Sequence, residues 1–336
     1  MNQKETAFST MSLQSVDEYF MHRCLQLARN GRLTARPNPS VGAVIVSAEG
    51  RILGEGFTSP YGGPHAEVNA FASVRPEDEG LLTDATIYVS LEPCSHWGHT
   101  PPCCDLIISK RIRRCVCGCI DPFARVQGRG VQRMREADVD VTVGMLKKEC
   151  IESNRFFFTF NRFSRPFILL KWAQTSNGLL NVASCSRQSV PLHISTPYTF
   201  MLVHQLRAEY DAILVGRNTM QTDRPRLDVR LWSGSNPERL VLTHHSEGVP
   251  DGFKAFSNID DMLAYLHNNQ RQSLMVEGGA ATLNSFIQRG LWDEIRVETA
   301  PLTVSDGVKA PCLPADAVLR RQQFIDGNSI SWYRKH

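Results

Sequence analysis

The sequence predicts a two-domain α/β protein, and three observations carry that expectation. Its 336 residues exceed what one hydrophobic core usually serves. Short β-branched runs alternate with helical patterns in two successive stretches. Between those stretches, from Glu149 to Pro166, the pattern loosens into an aromatic and basic connection (Arg155-Phe156-Phe157-Phe158, then Arg162 to Pro166). The division is accordingly set at 1–150 and 151–336.

In chain order, Val16 to Asn30 places Tyr19, Cys24, Leu27 and Ala28 at helical spacing, and Gly31 supplies a stop. Val41 to Val46 is a β-branched run followed by the Glu49-Gly50 turn, which predicts a hairpin with Arg51 to Phe57. Helices are expected over Ala66–Val74, Cys104–Lys110 and Val131–Ala137, and strands over Thr86–Leu91, Cys115–Ile120 and Val139–Val143. This alternation makes the first domain a three-layer α/β unit. In the second domain, strands are expected over Phe167–Trp172, Ala212–Val215, Arg239–Thr243, Ser273–Val276 and Glu294–Thr299. Helices are expected over Thr199–Ala208, Asp260–His267 and Ala281–Arg289.

Composition narrows the function classes. Hydrophobic residues make up 42% and charged residues 21%, ordinary values for a soluble globular chain. The net charge is +3, and the densest basic cluster, Lys110 to Arg114, is broken by Ile112, so it reads as a solvated face rather than a nucleic-acid patch. Met1 to Leu13 is polar and lacks the charged start and apolar run of a secretory signal. No stretch approaches the ~18 apolar residues that span a bilayer. Ten cysteines without an export signal read as thiols or metal ligands, and the expected compartment is the cytoplasm.

The chemistry begins at His65-Ala66-Glu67. Gly62-Gly63-Pro64 directly before it makes a helix start, where side chains two apart can face one cavity. Pro93-Cys94 follows a strand, and Pro101-Pro102-Cys103 opens another helix, whose N–H dipoles favour the metal-binding thiolate. One histidine and two cysteines leave a fourth tetrahedral position for water, the mark of a catalytic zinc site. His65, Cys94 and Cys103 are therefore the expected ligands of one Zn2+ per chain. Glu67 is the expected catalytic proton carrier, taking a proton from water and passing it to the ring and then to the departing amine. His-x-Glu with a downstream Pro-Cys is the pattern of zinc nucleobase deaminases, from which this mechanism is taken. Their second half reads Pro-Cys-x-x-Cys, whereas eight residues separate Cys94 from Cys103. A purely structural zinc stays open, with His96, His99 and Cys104 as candidate fourth ligands. Cys115, Cys117 and Cys119 share one face of a strand and are read as core.

Several segments together resemble one family. They are Pro37-Asn38-Pro39-Ser40-Val41-Gly42-Ala43-Val44, Pro64-His65-Ala66-Glu67, the long loop Leu91 to Cys103, Asp121-Pro122 and Gly128-Arg129-Gly130. In the second half they are Lys171 to Gly178, Leu206 to Ile213, Thr219 to Arg230, and Glu277-Gly278-Gly279. The likeness is to the bifunctional riboflavin-biosynthesis deaminase/reductase, from about Asp17 to about Gly307, and the wide cysteine spacing belongs to it. It implies a cytidine-deaminase-like first domain that hydrolyses the 2-amino group of a phosphoribosylamino-diaminopyrimidinone, with Asn38 holding the pyrimidine edge. Read without the family, Asn38 is a turn residue between two prolines.

The resemblance further implies a dihydrofolate-reductase-like second domain that uses NADPH to reduce the ribosyl group to a ribityl chain. Ala173, Thr219 and Asp223 would touch the nucleotide, with Gly279, Ala280, Ala281, Thr282, Leu283, Asn284 and Ser285 beside it. Arg207, Leu227, Arg230 and Glu277 would touch the substrate. Glycines between a strand and a helix suit close approach to a phosphate, and Arg207 and Arg230 suit bidentate phosphate recognition. Four positions depart from the family: Asn177 and Arg224 replace aspartates, and Pro191 and His193 stand where a serine and a tryptophan are common. The partner implied is a small phosphorylated pyrimidine, with no nucleic acid and no membrane, and a homo-oligomer is left open. A polynucleotide base deaminase with an accessory α/β domain is the alternative; beyond Arg155 to Arg165, the chain lacks the basic, aromatic-studded groove it would want.

Overall fold

The computed structural model describes residues 12–97, 101–123, 127–181, 192–245 and 247–336. The chain divides into two units, Met1–Phe163 and Ser164–His336. The division expected at 150/151 is thus displaced. The stretch read as a connection folds into two helices of the first unit, α5 (Lys147–Ser153) and α6 (Arg155–Phe163), numbered here in chain order. Asn154 between them fixes the assignment: its Oδ1 accepts from Ser40 N–H at 2.8 Å and its Nδ2 donates to the Ser40 carbonyl at 2.9 Å. Phe158 is buried in the first core.

The first unit opens with α1 (Leu13–Gly31), where Ser12 caps the helix by accepting from Ser15 N–H at 3.2 Å. The expected hairpin is β1 (Gly42–Val46) and β2 (Ile52–Phe57), followed by α2 (Ala66–Ala72) and a 3₁₀ stretch, Pro76–Asp84, that no reading anticipated. Then come β3 (Thr86–Val89), α3 (Cys103–Ser109), β4 (Arg114–Cys117), α4 (Arg129–Glu136) and β5 (Asp140–Val143). The sheet runs β2-β1-β3-β4-β5, antiparallel at the hairpin and parallel from β3 to β5. Every residue of β1 is buried, and α1 crosses it so closely that a Cβ on Gly42 would stand 2.0 Å from the Cys24 carbonyl oxygen. Cys115, Cys117 and Cys119 are buried, with the first two sulfurs 3.7 Å apart on one face, so the core reading holds.

The second unit contains β6 (Phe167–Thr175), α7 (Pro197–Glu209), β7 (Ala212–Gly216), α8 (Arg217–Asp223), β8 (Glu238–Leu242), β9 (Phe253–Phe256) and α9 (Ile259–Asn268). It continues through β10 (Ser273–Val276), α10 (Ala280–Gln288), β11 (Glu294–Ala300), β12 (Ala317–Ile325) and β13 (Asn328–Lys335). Its sheet runs β12-β13-β11-β6-β10-β7-β8-β9, parallel from β11 to β9, with β13 and β12 added antiparallel at one end. Along β6, Ile168, Leu170 and Trp172 enter the core, and the strand's alternation turns Lys171 and Ala173 to the opposite face. The two-domain α/β expectation is met.

Candidate active sites

In the first unit, the Gly62-Gly63-Pro64 turn delivers His65 to the N-cap of α2 in extended conformation, so Glu67 falls in the first helical turn. Cys94 follows β3, and Cys103 is the first residue of α3. His65 Nδ1 lies 3.6 Å from Cys94 Sγ and 3.4 Å from Cys103 Sγ, and the three donor atoms are all within 4.8 Å of one another. Ligands held ~2.1 Å (N) and ~2.3 Å (S) from one tetrahedral ion stand roughly 3.5 Å apart, so the spacing fits zinc. Among the described residues no other group of three such side chains converges. Cys104 turns its thiol to Asp105 instead, 3.5 Å away. His96 is absent from the cluster, and His99 lies outside the described residues.

The electrostatics suit metal binding. Hydrogen bonding from Cys103, seconded by His65, holds the Cys94 thiol down at about 4, and the Cys103 backbone N–H also donates to its sulfur at 3.3 Å. Cys103 moves the other way, because its neighbour already carries the charge and burial disfavours a second. The hydrogen bond to Cys94 raises His65 to about 9. Glu67 is buried, and burial together with the Cys94 sulfur pushes its carboxyl up to about 7, where a group can both take and return a proton at neutral pH. Asn38 occupies a turn after α1, its N–H on the Ala35 carbonyl at 3.0 Å, in the loop that Asn154 pins through Ser40.

In the second unit, the expected site residues gather at the carboxyl ends of β6, β7 and β10. Gly279, the N-cap of α10, donates its N–H to Thr219 Oγ1 of α8 at 3.0 Å. Ala280, Ala281, Thr282, Asn284 and Ser285 lie in the first two turns of α10, whereas Leu283 buries its side chain in the core. Asp223 ends α8, its carboxyl raised by burial. Leu227 is buried with φ +52°, and Arg230 pairs with Asp228 while covering the Phe200 ring. Arg207 of α7 is buried and grips Glu277 in fork fashion, at 2.8 Å (Nη2) and 3.4 Å (Nε). Burial alone would raise Glu277, but Lys171 and Arg207 hold it down at about 2. Ala173 faces Glu298 across the β6–β11 register.

Two of the departures have local readings. Asn177 accepts from Thr175 Oγ1 at 2.8 Å and donates to the Val304 carbonyl at 2.7 Å, a pair of roles an ionised aspartate cannot fill. Arg224 takes a left-handed conformation at the end of α8. His193 is exposed, and Pro191 lies outside the described residues.

Three charged residues escaped assignment from the sequence: Lys171, Arg296 and Glu298. Arg296 is only 1% exposed, stands beside Lys171 in the β6–β11 register and lies 3.7 Å from Glu298. Glu298 accepts from Ser195 at 2.9 Å and from Asn328 at 2.7 Å. The available signal was an Arg-x-Glu pair at period two, alternating with the core residues Ile295 and Val297.

A zinc-type His/Cys/Cys cluster with a buried carboxylate, on a three-layer α/β unit, defines a zinc-dependent deaminase domain; a second α/β unit with its own set of buried charged residues completes a two-part enzyme. Residues 14–119 match the cytidine and deoxycytidylate deaminase zinc-binding region, and residues 166–318 match the RibD C-terminal domain. The riboflavin biosynthesis protein RibD of Aquifex aeolicus is 36% identical, over 88% of this chain and 90% of that protein. RibD of Actinobacillus pleuropneumoniae is 40% identical, over 89% and 86%. A solved structure from Thermotoga maritima, a diaminohydroxyphosphoribosylaminopyrimidine deaminase/5-amino-6-(5-phosphoribosylamino)uracil reductase, superposes with a TM-score of 0.86. It is 31% identical, and the match covers 97% of this chain and all of that one. The chain belongs to the RibD family, the bifunctional riboflavin biosynthesis enzymes that join a zinc-binding deaminase domain to a reductase domain.

Proposed function

We propose that this chain acts on the same two compounds as the Thermotoga protein, removing the ring amino group of the phosphoribosylamino-diaminopyrimidinone and then reducing the resulting 5-amino-6-(5-phosphoribosylamino)uracil. The convergence of His65, Cys94 and Cys103 beside a buried Glu67 carries the reading. Zinc held by those three residues supplies Lewis acidity, drawing the pKa of water toward neutrality. Glu67 takes the proton from the attacking water and delivers it to the ring nitrogen beside the reacting carbon. It then takes the remaining proton from the hydroxyl added to the ring carbon and hands it to the departing amine, so a carbonyl forms, one water is consumed and one ammonia leaves. Asn38 orients the pyrimidine edge.

In the second unit NADPH supplies hydride when bound. Thr219 and the Gly279 turn hold its phosphates, and Ala173 and Asp223 touch the nucleotide; the bond from Gly279 N–H to Thr219 Oγ1, which joins the two turns, supports that reading. Arg207, Leu227, Arg230 and Glu277 hold the phosphorylated substrate, the forked Arg207–Glu277 pair fixing the guanidinium. The partner is a small molecule rather than a nucleic acid. The nine described cysteines are all free thiols, which supports a cytoplasmic setting. Among the described residues no helix is long and apolar enough to cross a membrane.

The test is to incubate the purified chain with the diaminopyrimidinone phosphate, with and without NADPH, and identify products by mass. Deaminated product without NADPH, and deaminated, reduced product with it, support the proposal. No conversion of that substrate by zinc-loaded protein refutes it, and salt-sensitive retention of the chain on nucleic acid would favour the polynucleotide alternative.

A further inference from the structure

We propose that Glu92 is a positioning residue for the zinc site, its buried carboxylate clamping the start of α4 onto the loop that carries Cys94. The inference rests on His65, Cys94 and Cys103 being the ligands. Glu92 lies two residues before Cys94, and its two oxygens take four main-chain N–H groups. Oε2 accepts from Asp121 at 3.2 Å and Gly128 at 2.8 Å; Oε1 accepts from Gly130 at 2.9 Å and Val131 at 3.2 Å. Orphan N–H groups at a helix start are a natural seat for a carboxylate, and this one is buried, which makes each bond count. The main chain of Glu92 is fixed as well, its N–H on the Cys119 carbonyl at 2.9 Å.

Two further contacts show what the clamp holds. The start of α4 lies directly on the peptide that enters Cys94: a Cβ on Gly130 would stand 2.2 Å from the Pro93 carbonyl oxygen. The same helix reaches the other thiol ligand through Arg133, whose Nε pairs at 2.9 Å with Asp105 in the first turn of α3, the helix that begins at Cys103. Both sulfur ligands therefore lean on α4, Cys94 through Glu92 and Pro93, Cys103 through α3. This gives the Gly128-Arg129-Gly130 segment a role that deamination chemistry alone leaves unassigned. Supports of this kind, outside the ligand shell, set metal affinity because they hold the ligands at bonding distance.

The experiment uses the full-length, zinc-loaded chain and follows transfer of zinc to a chromophoric chelator. Glu92→Gln replaces one acceptor oxygen with an amide nitrogen that must face an N–H group. It is expected to purify folded by far-UV circular dichroism and to release zinc about ten-fold faster than wild type. Release at the wild-type rate overturns the proposal. Cys94→Ser runs in parallel: zinc-depleted Cys94→Ser beside wild-type release from Glu92→Gln sinks the clamp alone, whereas full zinc in Cys94→Ser sinks the ligand assignment and the clamp together. If Glu92→Gln does not fold, Arg133→Ala cuts only the half-exposed link between α4 and α3. Its expected release is about two- to five-fold faster, and a wild-type rate there overturns the proposal too.

Discussion

Replacing Glu67 with glutamine removes a proton carrier and a buried charge in one step, and the two losses have opposite signs. In the zinc-loaded protein, loss of general acid–base catalysis is expected to lower kcat for deamination by ~10²–10⁴, about 3–5 kcal/mol of barrier. Zinc content should stay near one per chain, because Glu67 is not among the three converging ligands. In the zinc-stripped protein the same change should stabilise the fold. The Glu67 carboxyl is raised from 4.5 to about 7 by burial and the Cys94 sulfur, so the folded state holds the proton more tightly than the unfolded chain. Stability from this group is full below pH 4.5 and is lost as pH rises through 7. At ~1.4 kcal/mol per pH unit, the loss amounts to about 1 kcal/mol at pH 5 and about 3 kcal/mol at pH 8. Glutamine has no proton to lose, so urea unfolding of the zinc-free chains should show an advantage for Glu67→Gln that grows between those two pH values. Deamination within about ten-fold of wild type would refute the proton-carrier role, and a pH-independent advantage would refute the buried-charge account.

Three other outcomes are expected. Cys103→Ser should purify with well under one zinc per chain, and unchanged metal by elemental analysis would assign the ion to other ligands. Arg207→Met leaves Glu277 buried without its forked partner, which is expected to cost about 3–5 kcal/mol of second-unit stability by denaturant unfolding and to raise the KM of reduction. In wild type the Glu277 contribution is present above pH 4.5 and lost toward about 2; in the variant its loss should begin at higher pH, and an unshifted acid limb would contradict the pairing. Gly42→Ala sets a methyl 2.0 Å from the Cys24 carbonyl oxygen, so α1 must move off β1. A thermal-unfolding loss of about 1–3 kcal/mol is expected, and wild-type stability would show the helix to be free to shift.

The zinc cluster was legible in the sequence because its members sit at element starts, where proline and glycine mark position: His65 after Gly62-Gly63-Pro64, Cys94 after Pro93, Cys103 after Pro102. Most first-unit strands were legible too, being short β-branched runs. The connection at 149–166 misled because Arg155 and Arg162 flank the phenylalanines and resemble a solvated linker. In α6 the helix buries Phe158, Thr159 and Phe160 while leaving Phe163 exposed, and only the remote Asn154–Ser40 pair settles where that surface belongs. The β12–β13 hairpin was missed for a similar reason. Its Arg320, Arg321, Gln322 and Gln323 run shows no apolar alternation, since this edge strand is held by backbone pairing with β13 across a tight turn rather than by burial of one face. Arg296 and Glu298 lay inside a correctly read strand, but nothing local says that both faces of β11 are covered.

The alternation of β6 has a consequence for how this protein can change. Its even-numbered residues from Ile168 to Trp172 pack into the core, and Lys171 and Ala173 on the other face stand beside Arg296 and Glu298 of β11, within a strand bonded on both sides. Inserting or deleting a single residue ahead of Lys171 would rotate an ammonium group into packed hydrocarbon and an indole in among the charged side chains of the other face. Point substitutions can tune one face at a time, but the length of this segment is not free to drift, because the packed core and the row of charged neighbours are threaded on the same backbone.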